Sequence, residues 1–443
     1  MQISTTIDDA AYRAAVDALF ARQPGRMVPG LERITALTDL LGRPDQAYPS
    51  VQVTGTNGKT TTAHMVSALL AALGLTAGTY TSPHLQDVRE RIRVAGEPIA
   101  RPALAERLLE LSPYLTTVDA RFPDRVSFFE ALTALAFTHF ADAPVDVGVF
   151  EVGMGGRWDA TNVVRGEVAV LTRIGLDHRE LGSTVAEVAA EKTGIVKDGA
   201  VVVSSAQAPD AARAIEMAAR DHQAKLVIAG RDFGLTDRRV ALGGQELDLQ
   251  GVTGQFDEVF VPLHGAHQAE NAACALAAVE GFFGFSGGLD PAHIRQGFAA
   301  VRSPGRLEVL LRDDDRPTVV LDGAHNPDGA RALALALRSE FVFPRIVLVL
   351  GVLADKDVES IVEMLAPVAD AIVATAPDST RAAPSARVVA AAQRLGIAVE
   401  AVEGIPQALD RARELAYPLG AVVVTGSLYT VGAARDALGL EPA

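Results

Sequence analysis

Residues 51–62, Val51-Gln-Val-Thr-Gly-Thr-Asn-Gly-Lys-Thr-Thr-Thr62, combine two glycines, a lysine and a run of hydroxyls between a short apolar segment and a helix-forming one. That combination suits a phosphate cradle. Gly55 and Gly58 let the backbone bend until successive N–H groups point inward, with Thr56 and Asn57 between them. A helix over residues 60–73 aims the positive end of its dipole at the same spot. Lys59 supplies a point charge for the outer phosphates, and either Thr60 or Thr61 a hydroxyl for Mg²⁺. Val53 stands where the general phosphate-loop pattern has its first glycine. The plain rival is a glycine turn that binds nothing, but strand, glycines, lysine, hydroxyls and helix follow in the order a nucleotide site needs.

Other polar groups cluster where apolar segments end. Glu151-Val-Gly-Met-Gly-Gly-Arg157 follows an apolar run over 145–152, and Gly175-Leu-Asp-His178 follows one over 168–174. Open α/β sheets place ligands at such carboxyl ends. Ser82-Pro-His-Leu85 reads as a loop, followed by the charged run Asp87-Val-Arg-Glu-Arg-Ile-Arg93. Arg89, Arg91 and Arg93 are either a solvated face or a clamp for a substrate carboxylate. Phe128 and Phe129 are core residues, or one of them stacks on a flat ligand. Glu191 and Lys192 sit in a helical stretch over 185–193, on the plain view a surface ion pair.

The elements that carry these groups alternate. A helical region over 7–41 precedes the first strand, 76–81 reads as a strand, and Ser127 with Glu130 has capping-box spacing for a helix ending near Phe140. Further strands are expected at 200–204 and 226–228, short strands with glycine turns over 240–261, and helices over 267–281, which contains Asn271, and 290–301. After Arg302-Ser-Pro-Gly-Arg306, strands at 318–321, 346–350, 371–374, 399–402 and 421–425 alternate with helical patterns. Asp322-Gly-Ala-His-Asn-Pro327 leaves the first of these and Gly426-Ser-Leu-Tyr429 the last, which brings His325 and Ser427 to strand exits. The expected fold is α/β: an N-terminal phosphate-loop domain over 1–302, a doubly wound, mostly parallel sheet with a small β appendage, and a smaller Rossmann-like α/β domain over 303–443. The site is expected in the cleft between them.

A chain of 443 residues suits two domains, and 21% charged against 49% hydrophobic residues suits a globular protein. A net charge of −15 argues against nucleic-acid and anionic-membrane partners. The single Cys274 makes no internal disulfide and fits a reducing compartment. No signal peptide is expected from the first twenty residues, with Asp8, Asp9 and Asp17, and no apolar run is long enough for a membrane span. A cytoplasmic monomer is expected.

Together, Gly55-Thr-Asn-Gly-Lys59, Ser82-Pro-His-Leu85, Glu151-Val-Gly-Met-Gly-Gly-Arg157, Gly175-Leu-Asp-His178, Glu191-Lys-Thr-Gly-Ile195, Pro304-Gly-Arg306, Asp322-Gly-Ala-His-Asn-Pro327 and Gly351-Val-Leu-Ala-Asp-Lys-Asp357 resemble the folylpolyglutamate synthases, including the bifunctional bacterial form with dihydrofolate synthase activity. The kinship extends to the cell-wall Mur ligases. One departure is Thr60-Thr61, where many folate members have Gly-Ser. The resemblance implies an ATP-dependent carboxylate–amine ligase that adds L-glutamate to tetrahydrofolate and to dihydropteroate through an acyl phosphate, without a protein nucleophile. It implies Mg²⁺ at two sites: Ser82 and Glu151 serve one, and His178 the other, with Lys192 carbamylated beside it. It implies that Asn271 lies on the adenine side and that Arg306 reaches the phosphates. Asp322 and His325 then stand near nucleotide and incoming glutamate, Arg89, Arg91, Phe129, His325 and Ser427 contact substrate, and Lys59, Asp322 and His325 are catalytic.

Two rival functions remain. A Mur ligase would carry a separate uridine-nucleotide domain, for which the roughly fifty residues before the phosphate loop are too few. A nucleotide-binding regulatory module without ligase chemistry would have no use for Glu151, His178, Lys192 and Asp322 together.

Overall fold

In the computed structural model, which describes residues 2–23, 28–177, 179–310 and 316–442, helices α1 (Gln2–Phe20) and α2 (Glu32–Leu40) precede β1 (Ser50–Thr54), a strand buried at all five positions. The single helical region expected over 7–41 is thus two helices. The phosphate-loop helix α3 (Lys59–Ala72) leads to β2 (Ala77–Tyr80). The stretch after it, read from sequence as a charged loop, becomes a hairpin of β3 (Ile92–Val94) and β4 (Glu97–Pro98). It is followed by α4 (Arg101–Asp119), which buries Leu104, Leu108, Leu111, Leu115 and Val118. Then come α5 (Phe128–Asp142), with the expected Ser127/Glu130 capping box, β5 (Val147–Glu151), β6 (Val168–Leu171), α6 (Val185–Lys192), β7 (Val201–Ser204), α7 (Pro209–Asp221) and β8 (Lys225–Ile228).

These strands form one sheet in the order β4-β3-β2-β5-β1-β6-β7-β8, parallel from β2 to β8 with the hairpin antiparallel at one edge. β1 is central, its Val53 beside Glu151 of β5 and its Thr54 beside Leu171 of β6. The exits of β1, β5 and β6 therefore open at one end of the sheet, where the chain doubles back. Both faces are covered, which is why the strands read as unbroken apolar runs. The β appendage is an antiparallel sheet of β9 (Gly234–Ala241), β10 (Gly244–Gln250) and β11 (Gln255–Val261), followed by α8 (Ala266–Phe282) and α9 (Pro291–Ala299). α3 and α8 share one core with the sheet and the appendage, while α1, α2, α4 and α5 close another.

The remaining strands are β12 (Glu308–Leu310), β13 (Thr318–Leu321), β14 (Ile346–Leu350), β15 (Ala371–Ala374), β16 (Ala398–Ala401) and β17 (Ala421–Thr425). They are ordered β12-β13-β17-β14-β15-β16 and parallel except for β12, an edge strand that sequence periodicity did not reveal. Helices α10 (Pro327–Glu340), α11 (Val358–Leu365), α12 (Ser385–Arg394), α13 (Ile405–Ala416) and α14 (Leu428–Ala437) cover its two faces over separate cores. The exits of β13, β14 and β17 face the same end of this second sheet. Among the described residues no helix is long and apolar enough to cross a membrane.

Candidate active site

The phosphate loop is held open by contacts a side chain would destroy. Gly58, the N-cap of α3, has φ +89°, and a Cβ there would collide with the Asn271 amide of α8. Asn271 is fixed in turn by its own Nδ2, which donates to Gln268 Oε1 at 2.9 Å. Lys59 curls back over the loop, its Nζ donating to the carbonyls of Gly55 at 3.1 Å and Thr56 at 3.2 Å. Burial pushes its pKa down, against the pull of Glu151 and Asp177. An ammonium held this way by backbone carbonyls is ready to exchange them for phosphate oxygens.

Glu151, 1% exposed, accepts from Thr60 Oγ1 at 2.9 Å on one oxygen and from the backbone N–H of Ser82 at 2.9 Å on the other. Desolvation raises its pKa, while Lys59 and these two donors oppose the rise. Arg157, six residues on, does not pair with Glu151 and donates instead to the Ala190 carbonyl. A carboxylate flanked by two hydroxyl-bearing residues beside the phosphate loop is an all-oxygen donor set, which fits Mg²⁺ carried by few protein groups and by phosphates. Among the described residues no cluster of three or more His, Cys, Asp or Glu forms a complete metal cage. Of the two candidate hydroxyls, Thr60 faces Glu151, whereas Thr61 Oγ1 is bonded to Ser303 Oγ at 3.1 Å.

Lys192 does not sit at the surface. It is 3% exposed, and its Nζ donates to the Gly55 carbonyl at 2.7 Å, under the phosphate loop. Desolvation, helped by the positive charge of Lys59, lowers its pKa to about 7. Glu191 points elsewhere, toward the backbone N–H of Trp158 at 3.4 Å, so the surface ion-pair reading fails. His178 lies outside the described residues. Its neighbour Asp177 is described and takes Lys356 Nζ on one oxygen at 2.7 Å, with His325 Nε2 3.6 Å from the other. Lys356 leaves β14, His325 leaves β13 and Asp177 leaves β6, so this triad joins the two halves of the chain. The sequence reading included Asp177 and Lys356 in motifs but gave neither a role.

A second crossing contact pairs Asn57 with Asn326: Asn326 Nδ2 donates to Asn57 Oδ1 at 3.1 Å. Asn326, not Asp322 or His325, caps α10, through Gly329 N at 2.8 Å. Asp322 instead accepts from the backbone N–H groups of Leu307 and Ala324 at 2.8 and 2.9 Å, and burial raises its pKa despite nearby Arg306. The Arg306 guanidinium lies over Gly323 and close enough to favour ionised Glu151 and Asp322. Ser427 departs from its expected part: it is 1% exposed, and its hydroxyl caps α14 by accepting from Thr430 N at 3.0 Å.

On the other side of Glu151, the arginine run is not a solvated face. Arg91 is buried, donates from Nε to His84 Nδ1 at 2.8 Å and lies over the Phe128 ring at 5.1 Å. Arg89 is bound to Asp87, which Tyr12 of α1 also reaches at 2.6 Å, leaving Arg91 nearer the loop of Ser82. Phe128 is core, and Phe129 packs against Gly153 in the glycine-rich loop after Glu151.

Both halves of the chain match known proteins. The Mur ligase middle domain matches residues 53–279 and the Mur ligase glutamate ligase domain residues 305–428. A dihydrofolate synthase/folylpolyglutamate synthase of Mycobacterium tuberculosis is 44% identical over 94% of this chain and 91% of its own. The solved Mycobacterium tuberculosis folylpolyglutamate synthase complexed with ADP superposes with a TM-score of 0.93 at 43% identity, covering 98% of this chain and all of that one. A solved FPGS–AMPPCP–folate complex superposes at 0.83 with 34% identity, over 96% and 99% of the two chains. This chain belongs to the dihydrofolate synthase/folylpolyglutamate synthase family, built on the domains of the Mur ligases.

Proposed function

We propose that the cleft joins the amine of L-glutamate to a carboxylate of a folate at the expense of ATP, with dihydropteroate as a second acceptor. The carboxylate attacks the terminal phosphoryl group, ADP leaves, and the amine then displaces phosphate from the acyl phosphate. The observation that carries this reading is the meeting of the phosphate loop with the exits of the second sheet, through Asn57–Asn326 and Asp177–Lys356, in a chain whose relatives were solved with ADP and with AMPPCP and folate.

In this reading Gly55, Thr56, Asn57, Gly58, Lys59, Thr60 and Thr61 line the phosphates, and Asn271 faces the adenine side. Lys59 and Arg306 approach the moving phosphoryl group from opposite halves and offset its charge without reorganising. Glu151, with Thr60 and Ser82, would hold one Mg²⁺, whose contribution when bound is to neutralise phosphate oxygens. Lys192, carbamylated, would hold a second with His178; its low pKa leaves it a neutral amine able to take up CO₂, and the carbamate provides oxygen donors. Asp322 and His325 orient the incoming glutamate beside Lys356. Arg91 and Phe129 receive the acceptor, and Arg89 holds their loop through Asp87. Closing the two halves excludes water that would hydrolyse the acyl phosphate.

We divide the chain into an ATP-binding domain over 1–302 and a glutamate-ligase domain over 303–443, and expect one copy to act alone in the cytoplasm, without nucleic acid. The test is phosphate release from ATP with L-glutamate plus tetrahydrofolate, dihydropteroate or neither. Release only when an acceptor is present supports the reading. Release that ignores both acceptors, or none under any condition, refutes it.

A further inference from the structure

α10 spans the interface like a tie bar. Its first turn, at Asn326, is bonded to Asn57 of the phosphate loop. Fourteen residues on, about 21 Å away at the usual rise per residue, its last residue is Glu340, whose side chain is fully buried. An anion at the C-terminus of a helix opposes that helix's own dipole. Glu340 is nevertheless placed there, and the reason lies across the interface: both carboxylate oxygens accept the backbone N–H of Gly265 at 3.0 Å, and Gly265 is the N-cap of α8. The carboxylate that is wrong for α10 is right for the positive end of α8. Arg238 of the β appendage pairs with it, and His264 Nδ1 lies 3.4 Å away, its ring tilted at 55° to that of Phe341 with the centroids 4.9 Å apart. The charges facing Glu340 are therefore Arg238 and, when protonated, His264, while the buried ring of His267 adds none because desolvation lowers its pKa to about 4.

α8 returns to the phosphate loop, because Asn271 is the residue that abuts Gly58. The contacts thus close a ring: phosphate loop, Asn57–Asn326, α10, Glu340–Gly265, α8, Asn271, phosphate loop. We infer that Glu340 is a positioning residue, a latch remote from the reacting atoms that fixes the angle at which the second half meets the nucleotide-binding half. Asn57–Asn326 and the Asp177 pairs with Lys356 and His325 lie toward the N-terminal end of α10; the Glu340 contact holds its far end and so fixes the helix at both ends. Ligands held between the halves then bind to an arrangement already populated, and their apparent Kd is the intrinsic Kd divided by the closed fraction.

The inference rests on the ligase reading only in its choice of ligands. In Glu340→Ala, KM for ATP and for glutamate should both rise about tenfold, a common size for coupling between sites, while kcat stays within about twofold because saturating ligands restore closure. Should Glu340→Ala fail to fold, Arg238→Met attacks the same latch from the appendage and should move both KM values in the same direction; where both fold, the double variant should be no worse than the poorer single one. Calorimetric ATP affinity should weaken alongside KM, and this readout survives even if the chain proves to ligate something other than a folate. Unchanged KM and ATP affinity, a lower kcat at constant KM, or fully additive effects of the two substitutions would overturn the latch.

Discussion

The pKa of about 7 for Lys192 turns its proposed carbamylation into a quantitative matter. At pH 7.5 an amine with that pKa is about three-quarters neutral, whereas an ordinary lysine near 10.4 is about one part in a thousand neutral. Burial beneath the phosphate loop therefore enlarges the CO₂-reactive fraction several hundredfold. The sign follows directly. The lowered pKa keeps the amine neutral above pH 7, and as pH falls to 6 only about a tenth remains neutral, so carbamylation and activity should decline together on the acid side. The assay is glutamate-dependent phosphate release in buffer stripped of CO₂, then with bicarbonate restored, alongside native mass spectrometry for the added mass of a carbamate. Stripping should reduce activity and bicarbonate should return it. Lys192→Ala should lose about two orders of magnitude, as when one preorganised charge partner leaves a reacting centre, and a short carboxylic acid should recover part of the loss. Full activity without CO₂, together with an unmodified lysine still donating to the Gly55 carbonyl in a nucleotide-bound crystal, would refute the reasoning.

Lys59→Ala should abolish nearly all turnover while leaving the melting temperature unchanged or higher, because the lost ammonium is a desolvated one; a folded variant with normal turnover would contradict the nucleotide site. Lys356→Met breaks a buried pair and leaves Asp177 with His325 and the more distant lysines, so closure should weaken by about 3 kcal/mol; Asp177→Asn added to it should recover part of the glutamate KM, and a single variant within about twofold of the parent would count against the pair. Both tetrahydrofolate and dihydropteroate should be glutamylated, and activity on tetrahydrofolate alone would confine the enzyme to chain extension.

The sequence was most legible where local and tertiary preferences agree. The buried parallel strands at 318–321, 346–350, 371–374 and 421–425 fall at the expected residues, because each is a short β-branched run bounded by turn residues. The phosphate loop was legible because its glycines, lysine and helix are contiguous. The β3–β4 hairpin was not, since three arginines in seven residues look solvated, and only the fold reveals that Arg91 is buried against His84 and Phe128. α4 carries a helical spacing of leucines, but its two prolines disguise it as a broken segment. The Asp177–Lys356 pair spans 179 positions, and no local pattern encodes such a partner. The partners of Glu340 are likewise remote in sequence, Arg238 at 102 positions and Gly265 at 75.

The hairpin at the edge of the large sheet also bears on edge-to-edge strand pairing between copies. A doubly wound sheet leaves two edges, each a row of unpaired N–H and C=O groups on which another chain's strand can grow. Here the sheet ends on one side in β4, a strand of two residues closed by Pro98, whose missing N–H interrupts any further ladder. On the other side it ends in β8, four residues long and opened by the exposed Lys225. In the second sheet β12 is three residues long and β16 carries Glu400, paired with Arg411. Removing the hairpin would leave β2 as an edge strand whose four residues are all buried in the intact fold, and such a protein should self-assemble into β-rich aggregates.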